Sequence, residues 1–409
     1  MKYTLNFPSG KLQGKVNLPA SKSISNRLLI IQALSPDVFP LERISDSDDT
    51  QVLQQGLLSA SDVIDIGHAG TSMRFLTAYF AATGQAKTIT GSERIKNRPV
   101  SDLVDALNQL GAGIVYLEKP GYPPVRTSEN PLSGNFIEIN GSVSSQFISA
   151  ILMIAPTLQD GLIIHIKGDT VSASYISMTL NLMQQAGVSA IWKDNTITVA
   201  RQDYHSKGMT VECDWSAASY WYQMAALSED AELLLKGLTD KSLQGDAIIS
   251  QMACLFGVKT EFTTEGALLT KQRNHCLTLG LDFILTPDLV QTMAVTCCLY
   301  NTRFRFAGVK TLRVKETDRI AALQNELLKL GYCMKETEPC VMEWNGERTD
   351  PQDTLCISTY HDHRMAMAFA AAAIHYPGLQ IDDPKVVSKS YPNFWDELEN
   401  VGVKIIQIH

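Results

Sequence analysis

A two-domain α/β protein is predicted by three features of the chain. The first is length: 409 residues exceed what one hydrophobic core usually organises, so the chain divides. The second is a repeat. Five segments, "VIDIGHAGTSMRFLTAYFAA", "FIEINGSVSSQFISAILMIA", "TVECDWSAASYWYQMAAL", "LDFILTPDLVQTMAVTCCLY" and "LCISTYHDHRMAMAFAAAAI", open with alternating apolar residues, pass through a small or polar turn and continue as a strongly apolar helix. Their turns fall near Ser72, Ser144, Ser216, Asp288 and Asp362, a period of roughly 72 residues, longer than a solenoid repeat and large enough for a small α/β unit. The third is a sixth copy, "GKVNLPASKSISNRLLIIQAL", which opens the chain out of phase. Six units over two domains give three per domain, with a cleft between.

The helices of these copies are apolar on most sides and belong inside a domain. Their starts are different, because similar strand-to-helix junctions place several helix N-termini in comparable positions, where backbone N–H groups bind anions. In "SKSISNR", Lys22 and Arg27 flank a helix start, with Ser21, Ser23 and Ser25 as caps or phosphate donors. Arg74 follows "HAGTS", where Gly70 permits close backbone approach. The connecting stretch "GSERIKNRPVSDLVDAL" carries Arg94, Lys96 and Arg98 just before Pro99 and a helical pattern. In "LRVKETDRIAAL", Ile320 and Leu323 continue at helical spacing to Leu327 and Leu330, so a helix begins at the charged cluster. A helix N-terminus favours acids, yet Lys315 and Arg319 crowd it beside Glu316 and Asp318. Arg364 follows "HDH" in the last copy.

One such cation alone reads as a solvated surface charge. Lys22, Arg27, Arg74, Arg98, Lys315, Arg319 and Arg364 together, at helix starts of a chain with net charge −8, point instead to a shared multi-anionic ligand. The same negative balance argues against a nucleic-acid or membrane-surface partner. A hydrophobic fraction of 45% with 19% charged residues is ordinary for a globular protein. The N-terminal stretch "MKYTLNFPSGKLQGKV" has neither signal-peptide nor transit-peptide character, and the apolar run "MAMAFAAAAI" is far short of a membrane span. The expectation is a soluble, cytoplasmic protein. Eight cysteines without CxxC or Cys/His ligand spacing favour a reduced compartment and no structural zinc.

No GxxxxGK[ST] loop, strand-borne GxGxxG or GxSxG elbow occurs, so no nucleotide or other cofactor is expected. His361, Asp362 and His363 imitate a metal site, but their spacing does not suit one helical face, and no metal is expected. Proton transfer is left to carboxylates and lysines. Asp288, at the "TPD" turn, and Glu316, between Lys315 and Arg319, are the candidates, although a carboxylate among cations is more often a plain ion pair with no catalytic duty.

Seven motifs in order, "LPASKSISNR", "AGTSMR", "GSERIKNRP", "SSQF", "RVKETDR", "HDHRMAM" and "KSYPNFWDEL", closely resemble the 5-enolpyruvylshikimate-3-phosphate synthases, enolpyruvyl transferases also called 3-phosphoshikimate 1-carboxyvinyltransferases. The resemblance runs from about Lys11 to Leu398. It implies two domains, each of three βαβαββ units around a pseudo-threefold axis, with the active site in the interdomain cleft. The implied crossings near Ala20 and Cys213 give one discontinuous domain, 1–20 with 213–409, and a second, 21–212. The implied reaction moves the enolpyruvyl group of phosphoenolpyruvate to the 5-hydroxyl of shikimate 3-phosphate and releases phosphate, in the shikimate pathway to chorismate and aromatic amino acids.

By the same resemblance, shikimate 3-phosphate is held by Ser23, Arg27, Ser144, Ser145, Gln146, Ser172, Asp288 and Lys315, with Tyr175 nearby. Phosphoenolpyruvate meets Lys22, Gly70, Arg98, Gln146, Arg319, Arg364 and Lys389. Asp288 is nominated near the 5-hydroxyl and Glu316 near the methylene carbon, with Lys22 protonating the departing phosphate or sharing the acid role. A monomer is expected, with these two small molecules as its only partners. Four positions depart from the family pattern: His68 where Asn is common, Phe75 where many members have Pro, Thr311 where Asn often stands, and "SASY" in place of "SKPY". Two competing readings are the sister transferase acting on UDP-N-acetylglucosamine, disfavoured by the absence of a cysteine around "SERIKNRP", and a non-catalytic anion binder, disfavoured by the presence of Lys22, Asp288 and Glu316.

Overall fold

In Phe136–Asn140 the alternation of side chains turns Ile137 and Ile139 inward and leaves their neighbours exposed, the pattern of a strand with one covered face. The computed structural model, which describes residues 1–8 and 11–408, pairs this strand in parallel with Leu162–Lys167. A parallel pair needs a crossover, and the apolar helix Ser145–Ile154 supplies it. The helix Ala173–Gln185 follows, and then the hairpin of Ala190–Lys193 with Thr196–Val199. The fourth strand inserts beside the second, so the spatial order is first, second, fourth, third.

The same βαβαββ order recurs in four more sheets. They begin with the parallel pairs Val63–Asp65 and Thr88–Thr90, Lys11–Asn17 and Asp230–Lys236, Thr278–Asp282 and Arg303–Ala307, and Cys356–Ile357 and Leu379–Asp382. Contacts divide the chain into two compact units, 1–19 with 212–409, and 20–211. The first holds three four-stranded sheets, the last of them completed by the N-terminal strand Lys2–Asn6. The second holds two, plus a two-stranded sheet in which Met209–Thr210 runs parallel to Leu41–Glu42. That third copy is abbreviated to βαβα, because four residues after the helix Asp48–Leu58 the chain enters the next strand at Val63.

Two of the six copies are divided between the units. The strand Lys11–Asn17 lies beside Asp230–Lys236 in one unit, while the helix Lys22–Leu34 that follows it packs in the other. The strand Met209–Thr210 and the helix Trp215–Leu227 are parted in the same way. The out-of-phase first copy is thus a strand of one unit followed by a helix of the other.

Burial of the repeat helices confirms their core character. Val290–Leu299 and His363–Ala370 are buried throughout; in Ser145–Ile154 only Gln146, and in Trp215–Leu227 only Ser216, is partly exposed. Each large apolar side chain enclosed this way contributes about 1.5–3 kcal/mol. The helix bodies are thereby fixed, and in Ser145–Ile154 and Trp215–Leu227 the one partly exposed residue lies at the N-terminal end. Among the described residues no helix is long and apolar enough to cross a membrane.

Candidate active site

In the unit of 1–19 and 212–409, the helix Arg319–Lys329 buries Ile320, Leu323 and Leu327, as their spacing predicts. Asp318 caps it: one carboxylate oxygen accepts the N–H groups of Ile320 and Ala321, both at 3.2 Å. Arg319, 1% exposed, turns inward to three acids. Its Nε donates to Asp362 Oδ2 at 2.7 Å, its Nη2 to Glu316 Oε2 at 2.9 Å and its Nη1 to Asp288 Oδ1 at 3.3 Å. Burial disfavours the guanidinium charge, but the carboxylates of Asp362, Glu316 and Asp288 outweigh it and hold the group above its ordinary range. The first anions met by this cation are therefore the protein's own.

The other nominated residues of this unit join the same network. Arg364 Nη2 donates to Asp288 Oδ2 at 2.8 Å, Lys315 Nζ lies 3.6 Å from Asp288 Oδ1, and Lys389 Nζ lies 3.4 Å from Glu316 Oε1. Desolvation pulls the partly buried Lys315 amine below the usual lysine range, with Asp288 acting in the opposite sense. Asp362 does double duty, capping His363–Ala370 by accepting Arg364 N–H at 2.9 Å while it holds Arg319. Left-handed backbone at Tyr360 and His361 (φ 53° and 54°) precedes it, and His361 pairs outward with Asp383 at 2.9 Å. Asp288, Lys315, Glu316, Arg319, Arg364 and Lys389 thus come together from four separate segments. Thr311 Oγ1 is buried with no hydrogen-bond partner among the described residues.

In the unit of 20–211, the helices Lys22–Leu34 and Gly70–Ala82 begin without a side-chain cap, whereas Ser144 caps Ser145–Ile154 by accepting Gln146 N–H at 3.3 Å. Lys22 Nζ lies 3.1 Å from Asp49 Oδ2. Arg27 is 2% exposed; it donates to Thr179 Oγ1 at 2.7 Å, to Ser149 Oγ at 3.0 Å and to the Ser23 carbonyl at 2.9 Å. Its guanidinium stands 5.5 Å from the Phe75 ring centroid and 5.8 Å from that of Tyr175, and burial pushes its pKa down to about 10. Phe75 is fully buried, so the side chain that departs from the family's proline serves as a floor for Arg27.

Gly70 lies against two guanidinium groups. A Cβ there would sit 2.3 Å from Arg98 Nη1 and 2.8 Å from Arg74 Nη1, and the Gly70 carbonyl accepts Arg74 Nη1 at 2.6 Å. Gln146 Nε2 donates to Thr71 Oγ1 at 3.3 Å, bringing the third helix start to the second. His68 Nδ1 and Ser92 Oγ are 2.7 Å apart, tying the turn before Gly70 to the segment that leads to Arg98. Ser145 is buried beside Gln146, and Ser172, also buried, adopts a left-handed conformation (φ 55°) ahead of Ala173–Gln185. Lys96 turns away to Glu118 at 2.8 Å.

Sequence reasoning missed the residues that hold these groups: Asp49 on Lys22, Ser149 and Thr179 on Arg27, Asp362 on Arg319, and the pair Ser216–Asp246 behind Arg364. Asp49, in the first turn of Asp48–Leu58, carries only the signal of an ordinary helix-start acid. Asp362 stands in the sequence only as a turn residue before the last apolar helix; its grip on Arg319 depends on a tertiary contact that spacing does not encode.

Two α/β units of one repeated topology, each with cations gathered at helix starts, match the fold and charge pattern of the enolpyruvyl-transferase class. The chain belongs to the EPSP synthase (3-phosphoshikimate 1-carboxyvinyltransferase) family, whose profile matches residues 48–398. It is 50% identical over 406 residues to a 3-phosphoshikimate 1-carboxyvinyltransferase of Bacteroides fragilis, covering 99% of each chain. It is 35% identical over 424 residues to the enzyme of that name from Photobacterium profundum, covering 97% of this chain and 98% of the relative. A solved structure of EPSP synthase from Acinetobacter baumannii shares the fold, with a TM-score of 0.77 at 20% identity over 99% of this chain and 100% of that one.

Proposed function

We propose that this chain transfers the enolpyruvyl group of phosphoenolpyruvate to the 5-hydroxyl of shikimate 3-phosphate and releases phosphate, acting as a cytoplasmic monomer. The observation that carries the reading is the network of Asp288 and Glu316 with Lys315, Arg319, Arg364 and Lys389, two acids inside a ring of cations. In this reading Ser23, Arg27, Ser144, Ser145, Gln146, Ser172, Asp288 and Lys315 hold shikimate 3-phosphate. Lys22, Gly70, Arg98, Gln146, Arg319, Arg364 and Lys389 hold phosphoenolpyruvate, arginine suiting these positions because its planar fork grips carboxylate or phosphate by two bonds.

The reaction needs one base and one acid. As the 5-hydroxyl oxygen attacks the substituted vinyl carbon, Asp288 accepts the hydroxyl proton and the methylene carbon gains one, giving a tetrahedral intermediate. In this reading Glu316, which pairs with Arg319 Nη2 and Lys389 Nζ, exchanges the proton at that carbon. Expulsion of phosphate, with loss of a methyl proton, then restores the double bond. Lys22 supplies a proton to the departing phosphate or shares the acid role. The cations lower the cost of bringing two polyanions together and meet charge as it develops on the leaving group.

A phosphate-release assay tests the reading directly. Phosphate is expected from phosphoenolpyruvate with shikimate 3-phosphate as acceptor and not with UDP-N-acetylglucosamine; the reverse pattern would assign the chain to the sister reaction.

A further inference from the structure

Asp246 takes no part in the proposed reaction, yet it faces the residues that do. It lies in the short helix Gly245–Ile248, 4% exposed, and its Oδ2 accepts the hydroxyl of Ser216. Ser216, the partly exposed residue at the start of Trp215–Leu227, has its oxygen 3.5 Å from Arg364 Nη2. That same nitrogen donates to Asp288 Oδ2 at 2.8 Å. A serine hydroxyl has a single hydrogen, so donating it to Asp246 leaves lone pairs for Arg364.

Charge points the same way. Lys315, Arg319, Arg364 and Lys389 face Asp288, Glu316 and Asp362, four positive groups against three negative. An ionised Asp246 cancels the remaining positive charge, and a protonated one preserves it for an incoming anion. Burial first, then the nearby Asp288, raise its carboxyl to about 7. Arg364 and the Ser216 hydroxyl act against that rise, and Asp214, whose Oδ1 accepts Ala217 N–H at 2.9 Å, adds to it.

We propose that Asp246 is a positioning residue that orients Arg364 on Asp288 through Ser216 Oγ and takes up one proton from solvent as the phosphoenolpyruvate anion binds. This rests on the proposed reaction. The proton returns to solvent when the anion leaves, and no bond of the substrate is touched. Below neutral pH the uptake is already complete; above it, binding must draw a proton from a scarcer supply, so the KM for phosphoenolpyruvate rises.

The test is the KM for phosphoenolpyruvate and kcat from pH 5.5 to 9, at saturating shikimate 3-phosphate, for wild type, Asp246→Asn and Ser216→Ala. Ionisation of the ligand is common to all three proteins and cancels in ratios. The ratio of wild-type to Asp246→Asn KM is expected to be flat below about pH 6 and to climb at least about threefold by pH 8.5, with kcat changed only a few-fold. Ser216→Ala, which removes a hydrogen bond to the carboxylate, is expected to move the wild-type inflection to higher pH. A flat ratio, or a Ser216→Ala profile superimposable on wild type, overturns the proposal; the serine variant decides alone if Asp246→Asn does not fold. A wild type that releases no phosphate from the two substrates removes the reading beneath both, whereas one that turns over with a flat ratio removes Asp246 alone.

Discussion

At Gly70 the absence of a side chain lets two arginines lie on the backbone, since a Cβ would stand 2.3 Å from Arg98 Nη1. Gly70→Ala is therefore expected to push Arg98 aside and to raise the KM for phosphoenolpyruvate by about tenfold or more, since small misplacements at a reacting centre cost heavily. The KM for shikimate 3-phosphate should stay near wild type; equal rises in both would contradict a local displacement. Lys22→Met and Glu316→Gln are expected to cut kcat by at least about a hundredfold, the scale of a general acid or base, and near-normal rates would remove their assigned roles. Asp246 makes a separate stability prediction. Its folded-state carboxyl, at about 7, lies above the ordinary aspartate value, so the native protein keeps a proton that the unfolded chain loses at lower pH. Its contribution to stability is complete below about pH 4 and is lost as pH rises toward and through 7. Melting curves between pH 5 and 8 should therefore fall more steeply for wild type than for Asp246→Asn.

Helix starts fix where the charged side chains of each unit stand. Asp318 accepts two N–H groups at the head of Arg319–Lys329 and pairs with Arg313 at 2.6 Å. Asp318→Ala is expected to cost about 1 kcal/mol in denaturant unfolding, the usual price of a lost cap, while Arg319 stays held by Asp362, Glu316 and Asp288. Unchanged stability would mean that water replaces the cap without loss. Much of this element scale was legible in the sequence. Alternation in Phe136–Asn140 and the apolar bodies of Val290–Leu299 and His363–Ala370 are local signals, and so is a cation set beside a helix start. The exchange of strands between the units was implied by the family resemblance and not by alternation, because Lys11–Asn17 finds its partner only at Asp230–Lys236 and alternation says nothing about which strand lies alongside. Asp49 and Asp246 stayed hidden for a related reason: a carboxylate at a helix start looks the same whether it meets water or, as here, Lys22 and Ser216.

Over the whole chain, a net charge of −8 coexists with two local gatherings of cations, one in each unit. Long-range attraction of polyanions is therefore weak, and binding depends on short-range contacts with little help from steering. In the proposed reaction Arg98 and Lys389, which belong to different units, are both assigned to phosphoenolpyruvate. The KM for phosphoenolpyruvate in Arg98→Ala, from the unit of 20–211, and in Lys389→Ala, from the unit of 1–19 and 212–409, tests that assignment most directly. Each variant is predicted to raise that KM by at least about tenfold, the loss of one hydrogen bond to a charged group. A wild-type KM in either variant, with the fold intact by melting, would remove that residue from the proposed phosphoenolpyruvate contacts.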